Sequence, residues 1–109
     1  MNLNDYQKLA LRTANPKDAQ NEFYHLILGL VGEAGEIAEK IKKNIRNHDS
    51  DMSMLDVDDL KKELGDVLWH IATIADYFDI PLEDVATTNI AKLADRQKRG
   101  VIKSTGDNR

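Results

Sequence analysis

The chain has 109 residues, 41% of them hydrophobic, with a net charge of −4 and no cysteine. That length suits a single globular domain, and the absence of cysteine excludes a disulfide framework, a thiolate metal site and a cysteine nucleophile. A chain of pI near 5.3 lacks the basic face with which a general nucleic-acid binder displaces counterions from phosphates, so no nucleic acid polymer is expected as a partner.

Apolar residues recur at every third and fourth position while β-branched alternation is scarce, which predicts an all-α fold. Asn4 followed by Gln7 has the spacing of a capping box and opens a first helix of about ten residues, ending before Asn15-Pro16. From about Asn21 to Arg46, a stripe running from Phe23 and Leu26 through Leu30, Ala34 and Ile37 to Ile41 and Ile45 predicts a long second helix. The stretch NHDSDMSML breaks that period, and Asp56 is placed to cap a third helix over about Val57 to Tyr77. Pro81 suits the first turn of a fourth helix, Glu83 and Asp84 complement its positive end, and Lys98-Arg99-Gly100 closes it. The expected organisation is one helical domain over residues 1–99 and a polar tail over 100–109, flexible or ordered over a ligand. The start of the chain, MNLNDYQKLALRTANP, has neither a signal-like apolar run nor a stretch approaching the ~18 apolar residues of a membrane span, so a soluble, cytoplasmic protein without a membrane partner is expected.

These elements predict an antiparallel bundle of about four helices. Two such broad apolar stripes offer more surface than one copy covers, which predicts a homodimer or homotetramer, with the small residues and Trp69 as candidate contacts.

Chemistry concentrates on the two long helices. Glu33 and Glu36 are one turn apart on the second, and Glu63 and Asp66 repeat the spacing on the third, each beside apolar residues. Packed as an antiparallel hairpin, the four carboxylates would repel one another unless a cation lies among them. An all-oxygen set without cysteine, and without the Glu-x-x-His pairs of di-iron bundles, suits a hard ion such as Mg²⁺, with Mn²⁺ as a substitute. Gly29, Gly32 and Gly35 run beside the first acidic pair and Gly65 precedes Asp66, although each glycine inside a helix costs roughly 0.5–1 kcal/mol relative to alanine. A side-chain-free track would admit another backbone or a bulky anionic ligand. Acidic pairs on solvated helix faces and glycines in close helix contacts are the plain alternatives.

Glu33-x-x-Glu36 followed by Glu63-x-x-Asp66, in the wording LVGEAGEIAE, ELGDVLW and NIAKLADR, resembles the all-α nucleoside triphosphate pyrophosphohydrolases, the MazG-like group that also includes dimeric dUTPases and dCTP pyrophosphatases. The resemblance covers about residues 21 to 99 and implies Mg²⁺-dependent hydrolysis of a nucleoside triphosphate to the monophosphate and pyrophosphate, in the service of nucleotide-pool house-cleaning. It implies Glu36, Glu63 and Asp66 as metal ligands, with Glu33 holding a metal or orienting the attacking water. Lys92 and Arg96, with Asn89 on the same face of the fourth helix, match basic positions that would meet the phosphates. His70, one turn after Asp66, is a candidate for the base, and Asn21 and His25 are candidates for the same pocket. The competing readings are a non-catalytic helical interaction module and a phosphohydrolase acting on a modified nucleotide or an alarmone. The segment Asp49–Leu60 superficially suits calcium, but Met54 and Leu60 stand where an EF-hand loop needs glycine and glutamate.

Overall fold

The computed structural model describes residues 1–109 and contains helices without strands. Helix α1 spans Leu3–Ala10 and tightens into a 3₁₀ turn, Leu11–Thr13; α2 spans Glu22–His48, α3 Val57–Tyr77 and α4 Leu82–Arg99, with a second 3₁₀ turn at Met52–Met54. None of these helices is long and apolar enough to cross a membrane.

The capping box of α1 lies two residues earlier than the spacing of Asn4 and Gln7 predicts. Asn2 accepts the Asp5 N–H at 2.8 Å, and the Asp5 carboxylate receives the Asn2 N–H in return. That shift frees Asn4 and Gln7 for tertiary work. The buried Gln7 donates through Nε2 to the carbonyls of Ala72 (3.1 Å) and Ile80 (3.0 Å), and its Oε1 accepts the Leu82 N–H at 3.0 Å. Asn4 accepts the Glu83 N–H at 3.1 Å. Because α4 begins after Pro81, which offers no side-chain cap, the first N–H groups of α4 are capped from α1.

The other ends follow local chemistry. Asp56 accepts the Asp59 N–H at 3.0 Å and starts α3 at the predicted residue. Helix α2 ends where Asp49 turns left-handed (φ 50°), two residues beyond the predicted Arg46. Gly100 closes α4 in the left-handed conformation (φ 72°) that glycine adopts without a Cβ penalty.

The main packing unit is the antiparallel hairpin of α2 and α3, with α1 and the first part of α4 laid against α3. Ala10, Ala72 and Leu82 form the small buried core, and Tyr6, Trp69 and Ile71 pack around it. Trp69 ties α3 to α1: its Nε1–H donates to the Ala10 carbonyl at 3.1 Å and to Thr13 Oγ1 at 2.8 Å. Of 109 residues only 10 are buried, while Leu28, Val31, Leu64 and Ile90 are each more than half exposed. The radius of gyration is 17.0 Å, against about 13 Å for a closed globule of this length. A single chain therefore leaves much of the apolar stripe of α2 and of the outer face of α4 uncovered.

Candidate active site

Spacing on α2 puts Glu33 and Glu36 on one surface, and the hairpin sets Glu63 of α3 opposite them. Carboxylate oxygens of the three residues lie within 4.8 Å of one another. Asp66, one turn beyond Glu63, is exposed and outside this cluster. Burial, with the charge of Asp66 adding to it, holds the Tyr6 hydroxyl of α1 above its ordinary range.

Three acids this close are electrostatically expensive. Burial, then the hydrogen bond to Glu36 and its charge, raise the Glu63 carboxyl above its ordinary value, with Asp66 adding to the effect and Lys40 opposing it. Proton sharing between Glu63 and Glu36 is one relief and a divalent cation is the other. Two oxygens favour the cation: Oε2 of Glu33 and Oε2 of Glu63 are buried without any hydrogen-bond partner, a costly condition for carboxylate oxygen unless something positive meets it. The donor set, three carboxylates from two helices, fits a hard ion such as Mg²⁺ or Mn²⁺.

Lys40, which has no role in the sequence reading, borders the cluster. It stands one turn after Glu36, reaches across to α3, pairs closely with Asp59, and lies 3.7 Å from Glu63 Oε1. The Glu36-to-Lys40 spacing of four residues was the available signal.

His70 sits above the glycine track. Its Nδ1–H donates to the Asp66 carbonyl at 2.9 Å, a bond that fixes the tautomer because a carbonyl only accepts, and its ring meets Trp69 edge-on at 4.9 Å. The imidazole fills the notch left by Gly29: a Cβ built there would run into Nε2. Gly32, Gly35 and Gly65 instead open onto free space. Gly35→Ala is accordingly expected to gain about 0.5–1 kcal/mol of helix stability, and Gly29→Ala to forfeit that gain by displacing His70. Thermal melts of the two variants side by side check this, and a loss at Gly35 would mean that another backbone or a ligand packs against it.

The basic residues of α4 are engaged elsewhere. Lys92 Nζ lies 3.1 Å from Asp107 Oδ1, and Arg96 donates through one terminal nitrogen to the Asp107 carbonyl at 2.6 Å and to its carboxylate at 3.2 Å. These bonds hold the Asp107 carboxyl below its usual range. The Arg96 side chain is 5% exposed, and its Nε is buried without a partner. Asn89 is exposed one turn earlier, as are Asn21, in a left-handed conformation before α2, and His25. The structure thus groups Glu33, Glu36 and Glu63, places His70 against the same stretch of α2, and joins Lys92 and Arg96 to the tail instead of to the acids.

A family model, the MazG nucleotide pyrophosphohydrolase domain, matches residues 21–101, a span containing all four acids, His70, Lys92 and Arg96. Among curated proteins, the chain is similar to the Gene 37 protein of Mycobacterium phage L5, 48% identical over 85 residues that make up 78% of this chain and 75% of that protein. No solved structure gives a significant match.

Proposed function

Since the chain belongs to the MazG nucleotide pyrophosphohydrolase family, we propose that it is a Mg²⁺-dependent enzyme that adds water across the α–β phosphoanhydride of a nucleoside or deoxynucleoside triphosphate. The products are the monophosphate and pyrophosphate, and the cellular sense is cytoplasmic house-cleaning of the nucleotide pool. The observation that carries the reading is the convergence of Glu33, Glu36 and Glu63 with two buried, unpartnered oxygens.

Glu36 and Glu63 hold the cation, Asp66 supplies a further oxygen from the next turn of α3, and Glu33 holds a cation or accepts the proton of the attacking water at Oε2. A bound Mg²⁺ or Mn²⁺ would polarise the phosphoryl oxygens and lower the pKa of a coordinated water. Lys92 and Arg96, with Asn89 beside them, meet the phosphates, whose oxygens offer the same donors an anion in place of the Asp107 carboxylate. Residues 100–109 act as a tail to the domain of residues 1–99, exchanging Asp107 for substrate. His70, Asn21 and His25 face the base. The exposed apolar residues of α2 and α4 support assembly as a homodimer or homotetramer.

Pyrophosphate release from the eight common ribo- and deoxyribonucleoside triphosphates with Mg²⁺ tests the activity and ranks its substrates. Monophosphate plus pyrophosphate supports the proposal. Orthophosphate would indicate a phosphohydrolase for a modified nucleotide or alarmone. Equal background from wild type and Glu36→Ala would leave the helical interaction module, the reading that the uncovered apolar faces also accommodate.

A further inference from the structure

Resting on the proposed cation site, we propose that Lys40 is a positioning residue that fixes the Glu63 carboxylate in the orientation that receives the cation. Lys40 stands one turn after Glu36 on α2, and Asp59 one turn before Glu63 on α3, so their ion pair crosses the hairpin at the edge of the acidic cluster. Anchored there, the Lys40 ammonium also reaches Glu63 Oε1 at 3.7 Å. The other oxygen of the same carboxylate, Oε2, is buried and unpartnered. The two oxygens therefore have different surroundings: Oε1 is engaged from the side by a cationic group, and Oε2 is turned inward with nothing to accept from.

A glutamate side chain has three rotatable bonds, and one that repels two neighbouring acids gains by swinging away from them. The ammonium opposes that swing, because turning Glu63 outward would forfeit its attraction to Lys40. Contacts that orient a ligand in this way commonly change metal affinity by about 10- to 100-fold.

The sign of the effect separates positioning from simple electrostatics. A lysine so near a divalent cation repels it, so on charge alone Lys40→Met would tighten cation binding. If Lys40 positions Glu63, the same substitution loosens it. The test is Mn²⁺ binding to the full chain without nucleotide, followed by the paramagnetic resonance of free Mn²⁺, for wild type, Lys40→Met, Lys40→Gln and Lys40→Arg. Thermal melts in chelator show that each variant folds, and the Gln variant substitutes should Met fail. The expected result is about tenfold weaker binding for the Met and Gln variants, largely restored by Arg, which keeps charge and reach. Equal or tighter binding by the Met or Gln variant overturns the proposal and leaves the cation site standing. Failure of the wild type itself to bind Mn²⁺ removes the site and the role of Lys40 together.

Discussion

Glu63→Gln is expected to lower pyrophosphate release by about three orders of magnitude, equivalent to about 4 kcal/mol of transition-state stabilisation, while leaving the metal-free protein as stable as the wild type or more so. The two effects share one cause. Glu63 is the α3 member of the carboxylate cluster, and its amide replacement has the same shape but no charge with which to hold a cation. Without a cation, however, that charge is a burden, since Glu36 and Asp66 repel it and burial desolvates it. Removing it relieves strain that the folded chain otherwise carries. A mutation that merely damaged the fold would lower activity and melting temperature together. Activity lost with stability kept, measured on one preparation with and without Mg²⁺, is the signature of a site residue.

The pH dependence of stability supplies an independent readout. Glu63 has a folded-state pKa raised above its ordinary value of 4.5, so the folded state binds this proton more tightly than the unfolded chain does. The stabilisation is fully present below 4.5 and is lost as pH rises through the raised folded value. In chelator, the stability difference between Glu63→Gln and wild type should therefore grow in favour of the variant as pH is raised across that window, and saturating Mg²⁺ should abolish or reverse it. Comparing the variant with the wild type at each pH cancels the many other carboxylates of the chain. A flat difference across the window would show that Glu63 titrates as an ordinary exposed acid and would deprive the cluster of its electrostatic basis.

What was legible in the sequence is what short-range patterns encode. Asp56 caps α3 where its position before an apolar-periodic run says it should, and the three-residue spacing of Glu33 and Glu36 reliably puts both on one face. The glycine track was visible as a cost, but its use was only partly so. Gly29 makes room for an imidazole of the facing helix, and no property of residues 29 to 35 alone names that partner. Lys92 and Arg96 show the same division: their spacing marks a basic face, yet the partner they take is Asp107, beyond the end of α4. The capping box is the clearest case. Asn2-x-x-Asp5 and Asn4-x-x-Gln7 both fit the pattern, and the choice between them is settled by backbone groups on α3 and at the start of α4 that need Gln7.

That need makes Gln7 the most consequential residue outside the acidic cluster, and Gln7→Leu is expected to destabilise the fold by about 3 kcal/mol, since each buried backbone group left unpaired costs about 1–3 kcal/mol. The substitution strands the Leu82 N–H, removes the side-chain partner of the Ile80 carbonyl, and takes from the Ala72 carbonyl the bond it accepts in addition to its place in α3. It also removes part of the only capping that α4 has, because Pro81 gives none. Gln7→Glu isolates the chemistry from the packing. Its carboxylate still accepts the Leu82 N–H, but an oxygen replaces the Nε2 donor and confronts two carbonyls. The Glu variant should therefore be as unstable as the Leu variant at neutral pH and recover in part in acid, where a protonated carboxyl regains one donor. Urea unfolding at fixed protein concentration, comparing midpoints at an unchanged slope, measures both. Because α4 carries Lys92 and Arg96, the Leu variant should also lose activity ahead of its global unfolding, as α4 detaches from α1 before the α2–α3 hairpin opens. If activity and global structure are instead lost together, the hold of α1 on α4 is part of the main cooperative unit and not a separate clasp.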